Sequence, residues 1–232
     1  MQASIHLLKF IKTILTIVLL QSVAACIAQR PIFSIATDVA ATVSFKKDQR
    51  FLTIGETIIA HFHVTEKDGA YLWYGYSAPG KFHNDFVAVA KSTTTTPQEM
   101  DFKNYSQIRF RHFSIGWKHY LVGAYNSETM WNLYFTAGFG LVGGRVTNTY
   151  TIIKDTVNYN FPKNPIDGKG SFKRLTFDAA LGFEIPLGME IYLYGEARAW
   201  VPASDYPSKY LFINDNAPFI GTANLGLRIL FD

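Results

Sequence analysis

Residues 219–231, one position short of the end of the 232-residue chain, restrict the fold more than any other stretch. The odd positions Phe219, Gly221, Ala223, Leu225, Leu227, Ile229 and Phe231 are apolar or glycine, whereas the even positions include Thr222, Asn224, Gly226 and Arg228. A period of two puts each set on its own face of an extended strand, so one face suits hydrocarbon and the other suits water. About 9 to 11 such residues, tilted, cross a bilayer, and only a closed barrel satisfies every backbone donor and acceptor there.

The same alternation recurs upstream. Phe33, Ile35, Val39, Ala41, Val43 and Phe45 alternate with Ser34, Asp38, Thr42 and Ser44; after a polar link at 46–49, Leu52, Ile54, Ile58, Ala60 and Phe62 oppose Thr53, Gly55, Thr57, His61 and His63. Glu56 falls on the apolar face of that second run, which predicts a bulge or an altered register. Residues 70–76 read as an aromatic third strand that 82–91 can extend beyond the membrane, and the polar stretch 91–105 reads as a loop. In the fourth strand Phe113, Ile115, Trp117 and Leu121 oppose Ser114, Gly116, Lys118 and Tyr120, but Ile108 and Phe110 have the opposite parity. A phase slip near Arg111 is therefore predicted.

Residues 131–141, 174–185 and 191–200 alternate cleanly, and the long connection 147–170 can carry a hairpin in its centre. The count is eight strands, with connections running short and long in turn after the first link. That asymmetry is the pattern of a transmembrane barrel with tight periplasmic turns, long exposed loops and both termini periplasmic. The turn at 187–189 is read as a three-residue loop. It places Pro186 opposite Glu190 and Asp178 opposite Arg198.

At the other end, His6, Lys9 and Lys12 precede an apolar run at 14–20 and a small-residue exit at 22–28, the composition of a secretory leader. The expected division is a signal peptide over 1–28 and one barrel domain over 29–232, since no Pro/Gly/Ser-rich linker divides the remainder. Cleavage after Ala28 is the preferred site; the alternative takes residues 23–26 as resembling a lipoprotein box in which Cys26 is acylated. As the only cysteine, Cys26 forms no internal disulfide. Losing Lys9 and Lys12 lowers the net charge from +4 to +2, which makes no case for nucleic acid. An aromatic content of 16% fits Tyr and Trp girdles at two bilayer interfaces.

The C-terminal strand ending at Phe231 and the stretch 131–141 resemble the small eight-stranded outer-membrane β-barrel proteins of the porin-like superfamily. The resemblance implies an all-β, antiparallel, up-and-down transmembrane barrel in the outer membrane of a Gram-negative bacterium. It further implies contact with outer-membrane lipid and lipopolysaccharide, and recognition of the C-terminal strand by the barrel assembly machinery. Asp232 departs from the family pattern, which ends on the aromatic itself. The resemblance is one of architecture and carries no defined activity.

Eight strands leave an interior only wide enough for side chains. The predicted inward set, Asp38, Asp178, Glu184 and Glu196 with Lys118, Arg174, Arg198 and Arg228, reads as a salt-bridged polar plug, because charges removed from water must be paired. A structural or surface-binding barrel without enzymatic activity, cofactor or metal is the first expectation. Two alternatives differ in class. His112 and Ser114 share a strand face as a base and nucleophile do, and resemble part of the His-x-Ser motif of outer-membrane lipid A deacylases. That family follows the Ser with Asn, where this chain has Ile115, and its acidic partner would here be Glu128. The other alternative is a soluble lipocalin-like barrel, which requires the apolar face inside. His61 and His63 share a face, but no third metal ligand is evident from spacing. Gly138, Gly140, Gly143 and Gly144 make no phosphate loop, since no helix follows, and are read as making room for bulky neighbours. Tyr150, Tyr159, Tyr206 and Tyr210 mark loops that bind a surface ligand or fold over the barrel mouth.

Overall fold

The computed structural model describes residues 32–162, 165–203, 208–211 and 220–231. The predicted leader with Cys26 and Ala28, together with Tyr206, Phe219 and Asp232, lies outside the described residues. The strands are β1 (Ile32–Ser44), β2 (Phe51–His63), β3 (Asp68–Ser77), β4 (Gly80–Ala90), β5 (Glu99–Val122), β6 (Asn132–Tyr150), β7 (Tyr159–Asn160), β8 (Gly168–Gly188), β9 (Ile191–Pro202) and β10 (Ile220–Phe231). Eight of them, β1, β2, β3, β5, β6, β8, β9 and β10, pair antiparallel in that order, and β10 returns to β1 to close the ring. The expected all-β, eight-stranded antiparallel barrel is thus the observed one. β4 lies on the first half of β5, and β7 lies on the end of β4.

Strand length sets the shape. β5, β6 and β8 have 24, 19 and 21 residues against 12 or 13 for β1, β2, β9 and β10. At about 3.3 Å per residue the long strands overshoot the barrel wall by roughly 20 to 40 Å, and with β4 they make a sheet that projects from the end bearing the long connections. Residues 82–91 accordingly extend the third strand as expected, as the separate strand β4. The expected loop at 91–105 is shorter, because β5 already begins at Glu99, pairing with Val89. Its polar sequence reflects a sheet standing clear of the wall rather than absence of structure. The centre of 147–170 forms no hairpin of its own; Tyr159 and Asn160 join β4 at Ala90 and Val89.

Side-chain parity on β5 is unbroken. Phe102, Asn104, Ser106, Ile108, Phe110, His112, Ser114, Lys118 and Tyr120 are all buried, and every odd position between them faces outward. The predicted slip near Arg111 does not occur. What inverts there is the environment: Phe113, Ile115 and Trp117 cover the outside of the wall, whereas beyond Arg111 the outside is polar and the apolar residues turn inward. The interior at that end holds Phe51, Ile108, Phe110, Val142, Val146 and Phe172 in one cluster. The register irregularity between β5 and β6 lies instead at Tyr120/Val122. Glu56 also causes no bulge; β2 stays in register with both neighbours, Glu56 facing Val39 on one side and Tyr76 on the other, and its side chain points outward.

The β8–β9 turn corrects a second expectation. Met189 and Glu190 form a two-residue loop with φ of 48° and 64°, the left-handed pair that a tight hairpin requires. Gly188 faces Ile191, but Pro186 faces Tyr192, so Leu187 is an extra residue on the β8 side. That bulge restores the even-to-even pairing which a two-residue loop alone destroys. Asp178 consequently faces Trp200, and Arg198 faces Ala180.

Candidate functional site

Alternation delivers the even residues of β1, β5, β6, β8, β9 and β10 to one interior. All eight charged residues expected there, Asp38, Lys118, Arg174, Asp178, Glu184, Glu196, Arg198 and Arg228, are buried. They do not form one undivided network. Glu184 on β8 binds Lys118 of β5 at 2.5 Å and Arg228 of β10 at 3.0 Å, and accepts a hydrogen bond from the Tyr120 hydroxyl at 3.1 Å. Tyrosine faces complete this cage: Lys118 Nζ stands 3.7 Å from the Tyr134 ring centre, and the Arg228 guanidinium 3.9 Å from that of Tyr192.

A second group lies between β6 and β9. Arg198 Nε donates to Glu196 at 2.8 Å, while the guanidinium covers the rings of Tyr71 and Trp73, and the Tyr134 hydroxyl donates to the other Glu196 oxygen at 3.1 Å. The expected Asp178–Arg198 pair is absent because the bulge at Leu187 moves the two apart by one ladder step. Asp38 is held by neutral donors: Asn224 Nδ2 at 3.0 Å, the Thr57 hydroxyl at 2.5 Å and the Tyr194 hydroxyl. Arg174 packs its guanidinium 5.2 Å from the Phe172 ring centre, where the interior turns apolar.

Asp178 serves a third group. Its carboxylate lies 3.4 Å from His112 Nε2 and accepts from the Thr176 hydroxyl at 2.9 Å, while Ser114 Oγ lies 3.4 Å from the Tyr71 hydroxyl. The acid beside His112 is therefore Asp178; Glu128 sits exposed in the β5–β6 turn. His112 and Ser114 have no measurable exposure, and the His112 ring is flanked by Trp200 at 4.3 Å and Trp73 at 5.1 Å. Sequence alternation places Asp178 on the inner face, but β5 and β8 touch only through β6, so no local spacing signals that these side chains meet. The glycine reading holds in part: a Cβ on Gly140 would run into His112 Nε2, one on Gly138 into the Tyr71 hydroxyl, and one on Gly144 into the Phe172 ring, whereas Gly143 has open space.

His61 and His63 stack at 6.2 Å, His63 bonds Ser34 Oγ at 2.9 Å, and its ring lies 4.4 Å from Tyr125. Among the described residues no cluster of three His, Cys, Asp or Glu side chains is placed to hold a metal. In the projecting sheet, Tyr150 and Tyr159 pack on or beside Phe102 within an aromatic cluster, and Tyr150 donates to the Pro165 carbonyl at 2.7 Å. Burial, helped by Asp167, pushes the Tyr150 phenol up to about 12. Bonds from Asn158 hold the Asp155 carboxyl in the neighbouring turn below its ordinary value.

No protein-family model matches the chain. No curated protein matches it either. Among solved structures, the chain is similar to the attachment invasion locus protein Ail of Yersinia pestis, at 11% identity over 87% of this chain and 99% of that one, with a TM-score of 0.48. It is similar also to Neisserial surface protein A, at 12% identity over 86% and 97% of the two chains and a TM-score of 0.45. OprG of Pseudomonas aeruginosa gives 14% identity over 87% and 96%, with a TM-score of 0.45.

Proposed function

We propose that the chain is an integral barrel of a Gram-negative outer membrane, with a lumen filled by side chains and a structural or surface-binding role. The observation that carries this reading is the outer wall. Val39, Ile58, Leu72, Ile115, Phe139, Leu181 and Leu227, on seven of the eight strands, are each between 41% and 63% exposed, while the positions between them turn polar groups inward. Soluble monomers rarely expose more than a few hundred Å² of contiguous apolar surface. On β8 the apolar set runs from Leu175 to Ile185, 11 residues, which is the length a tilted strand needs to cross a bilayer. A lipocalin-like barrel needs the reverse polarity.

Both described chain ends and the tight β8–β9 turn lie at one end of the barrel, and the projecting sheet lies at the other. In this reading the tight-turn end is periplasmic, the sheet is exposed at the cell surface, and Phe231, stacked on Phe33 at 4.9 Å, ends the strand offered to the assembly machinery. The lumen groups described above fill the cross-section, so the barrel is not an open pore. Hydrolysis of lipid A is disfavoured by the full burial of His112 and Ser114, with the His112 ring enclosed between two tryptophans.

Single cysteines test the wall. With Cys26 replaced by Ser, a bilayer-soluble maleimide is expected to modify Phe139→Cys and Leu181→Cys in outer-membrane fractions, in a protein whose gel mobility shifts on heating. A water-soluble maleimide is expected to modify Gln107→Cys. Recovery in the soluble fraction without heat-modifiable mobility would refute the reading.

A further inference from the structure

Where β5 leaves the wall, its outer face carries a stripe whose charges, read from the other end, recur with opposite sign. The outward residues in order are Glu99, Asp101, Lys103, Tyr105, Gln107, Arg109 and Arg111, all of them exposed. With Tyr105 as centre, Glu99 mirrors Arg111 and Asp101 mirrors Arg109. The neighbouring strands extend the pattern: on β4, Lys81 lies beside Gln107, His83 beside Tyr105 and Asp85 beside Lys103, and on β6 Arg145 lies beside Arg109. Lys103 and Asp85 pair at 3.5 Å. Among the described residues Glu99, Asp101, Arg109 and Arg111 have no ion-pair partner, and the Arg109 guanidinium stands 5.9 Å from the Tyr76 ring centre. Asp101 and Arg109 are separated by about 26 Å at the usual rise of a strand, so the two ends of the stripe cannot pair within one chain.

We infer that this sheet face docks on the same face of a second copy of the chain, the two β5 strands running antiparallel about a two-fold axis at Tyr105, so that barrels in two apposed membranes are joined. The inference rests on the membrane reading above and names the partner of its surface-binding role. A two-fold axis perpendicular to the strands keeps β4 over β4 and reverses β5 over β5. Glu99 of each copy then meets Arg111 of the other, Asp101 meets Arg109 with Arg145 one strand away, and Lys81 meets Asp85. Packed sheets lie about 10 Å apart, a gap that an arginine and a carboxylate side chain span together. Copies in one membrane have parallel strands, which would set Glu99 against Glu99 and Arg111 against Arg111; the stripe repels that arrangement and favours the antiparallel one. A polyanion would match only the basic half. Three strands by twelve residue steps cover roughly 500 Å² per partner, the size of a weak, transient interface, and many copies on two facing membranes multiply its strength.

The test uses the full-length protein with Cys26→Ser, folded into phosphatidylcholine vesicles and checked by heat-modifiable mobility. Labelling of Thr94→Cys, exposed beyond the end of β4, by a water-soluble maleimide confirms that the sheet faces outward. Clustering is read as energy transfer between two differently labelled vesicle populations. Vesicles bearing the wild-type barrel are expected to cluster with each other and not with protein-free vesicles. Arg109→Glu with Arg111→Glu should slow clustering at least tenfold, because the acids of the facing copy then meet acids. Exchanging the two ends, by Glu99→Arg and Asp101→Arg with Arg109→Asp and Arg111→Glu, keeps the net charge. That variant should cluster with itself as the wild type does, yet at least tenfold more slowly with wild-type vesicles, a selectivity that unspecific attraction does not produce. Lys46→Gln with Lys47→Gln, at the same end on the β1–β2 link, should change nothing. Folded, outward-facing wild-type barrels that do not cluster, clustering onto protein-free vesicles, or equal clustering of the exchanged variant with itself and with wild type would each overturn the inference. A wild-type chain that lacks heat-modifiable mobility would instead refute the membrane reading itself.

Discussion

Glu184 is the side chain on which the interior most depends, because a single buried carboxylate pairs with both Lys118 and Arg228. Glu184→Gln leaves two cations facing each other in a dry site, and breaking a buried pair typically costs about 3 to 5 kcal/mol. The expected outcome is a lower urea midpoint for unfolding from lipid vesicles. Adding Lys118→Met, which removes one of the stranded charges, should recover part of the loss, so the two substitutions should be non-additive. All three residues were legible as inward-facing from alternation alone. Their partnership was not: Glu184 sits on β8, Lys118 on β5 and Arg228 on β10, and period two states which face a side chain takes but not which residue it meets across the lumen. For the same reason the sequence points Asp178 to Arg198 on the adjacent strand, whereas its neighbours include His112 on β5.

Among the elements, the β8–β9 hairpin shows how one residue governs every side chain of two strands. The parity argument correctly demanded even-to-even pairing between these strands, and a three-residue loop was the simplest turn to satisfy it. The chain uses a two-residue loop with Leu187 bulged out, a solution with the same parity but a register displaced by two. Deleting Leu187 should be far more damaging than Leu187→Ala. The deletion leaves the left-handed Met189–Glu190 loop pairing odd with even, which would turn Glu184 and Asp178 to the outer face, whereas the alanine variant keeps the extra residue. Folding yield, read as the heat-modifiable fraction after refolding into vesicles, should be near zero for the deletion and near wild type for Leu187→Ala. On β5 the sequence pattern and the structure differ for another physical reason. Its apolar residues change face at Arg111; on the proposed membrane reading the solvent outside changes there from lipid to water, and a change of solvent leaves the same trace in sequence as a change of register.

For the whole molecule, strand count and the alternation of short and long connections suffice to anticipate an eight-membered ring, because every wall strand except the aromatic third, whose faces the sequence does not assign, carries a period-two signature. The projecting sheet was only half visible, since β4 and the first part of β5 pair outside the wall and lack the apolar outer face that marks the others. The closed ring bears directly on permeability. Eight strands give an interior that side chains just fill. Here successive levels of that interior are occupied, by the Glu184 cage with its tyrosines, by the Arg198, Tyr71, Trp73 and Trp200 group above it, and by the Phe110 and Phe172 cluster at the mouth. On the proposed reading of a plugged lumen, an ion crossing it must separate paired charges and then pass an apolar cluster without gaining hydration. The purified barrel in a planar bilayer should show no stepwise conductance at moderate voltage, and vesicles containing it should not swell in small sugars. Opening only the mouth, by Phe110→Ala with Phe172→Ala, should leave conductance at baseline because the charged levels still close the lumen. Steady single-channel steps from the wild-type barrel would show that the side chains leave a continuous water path.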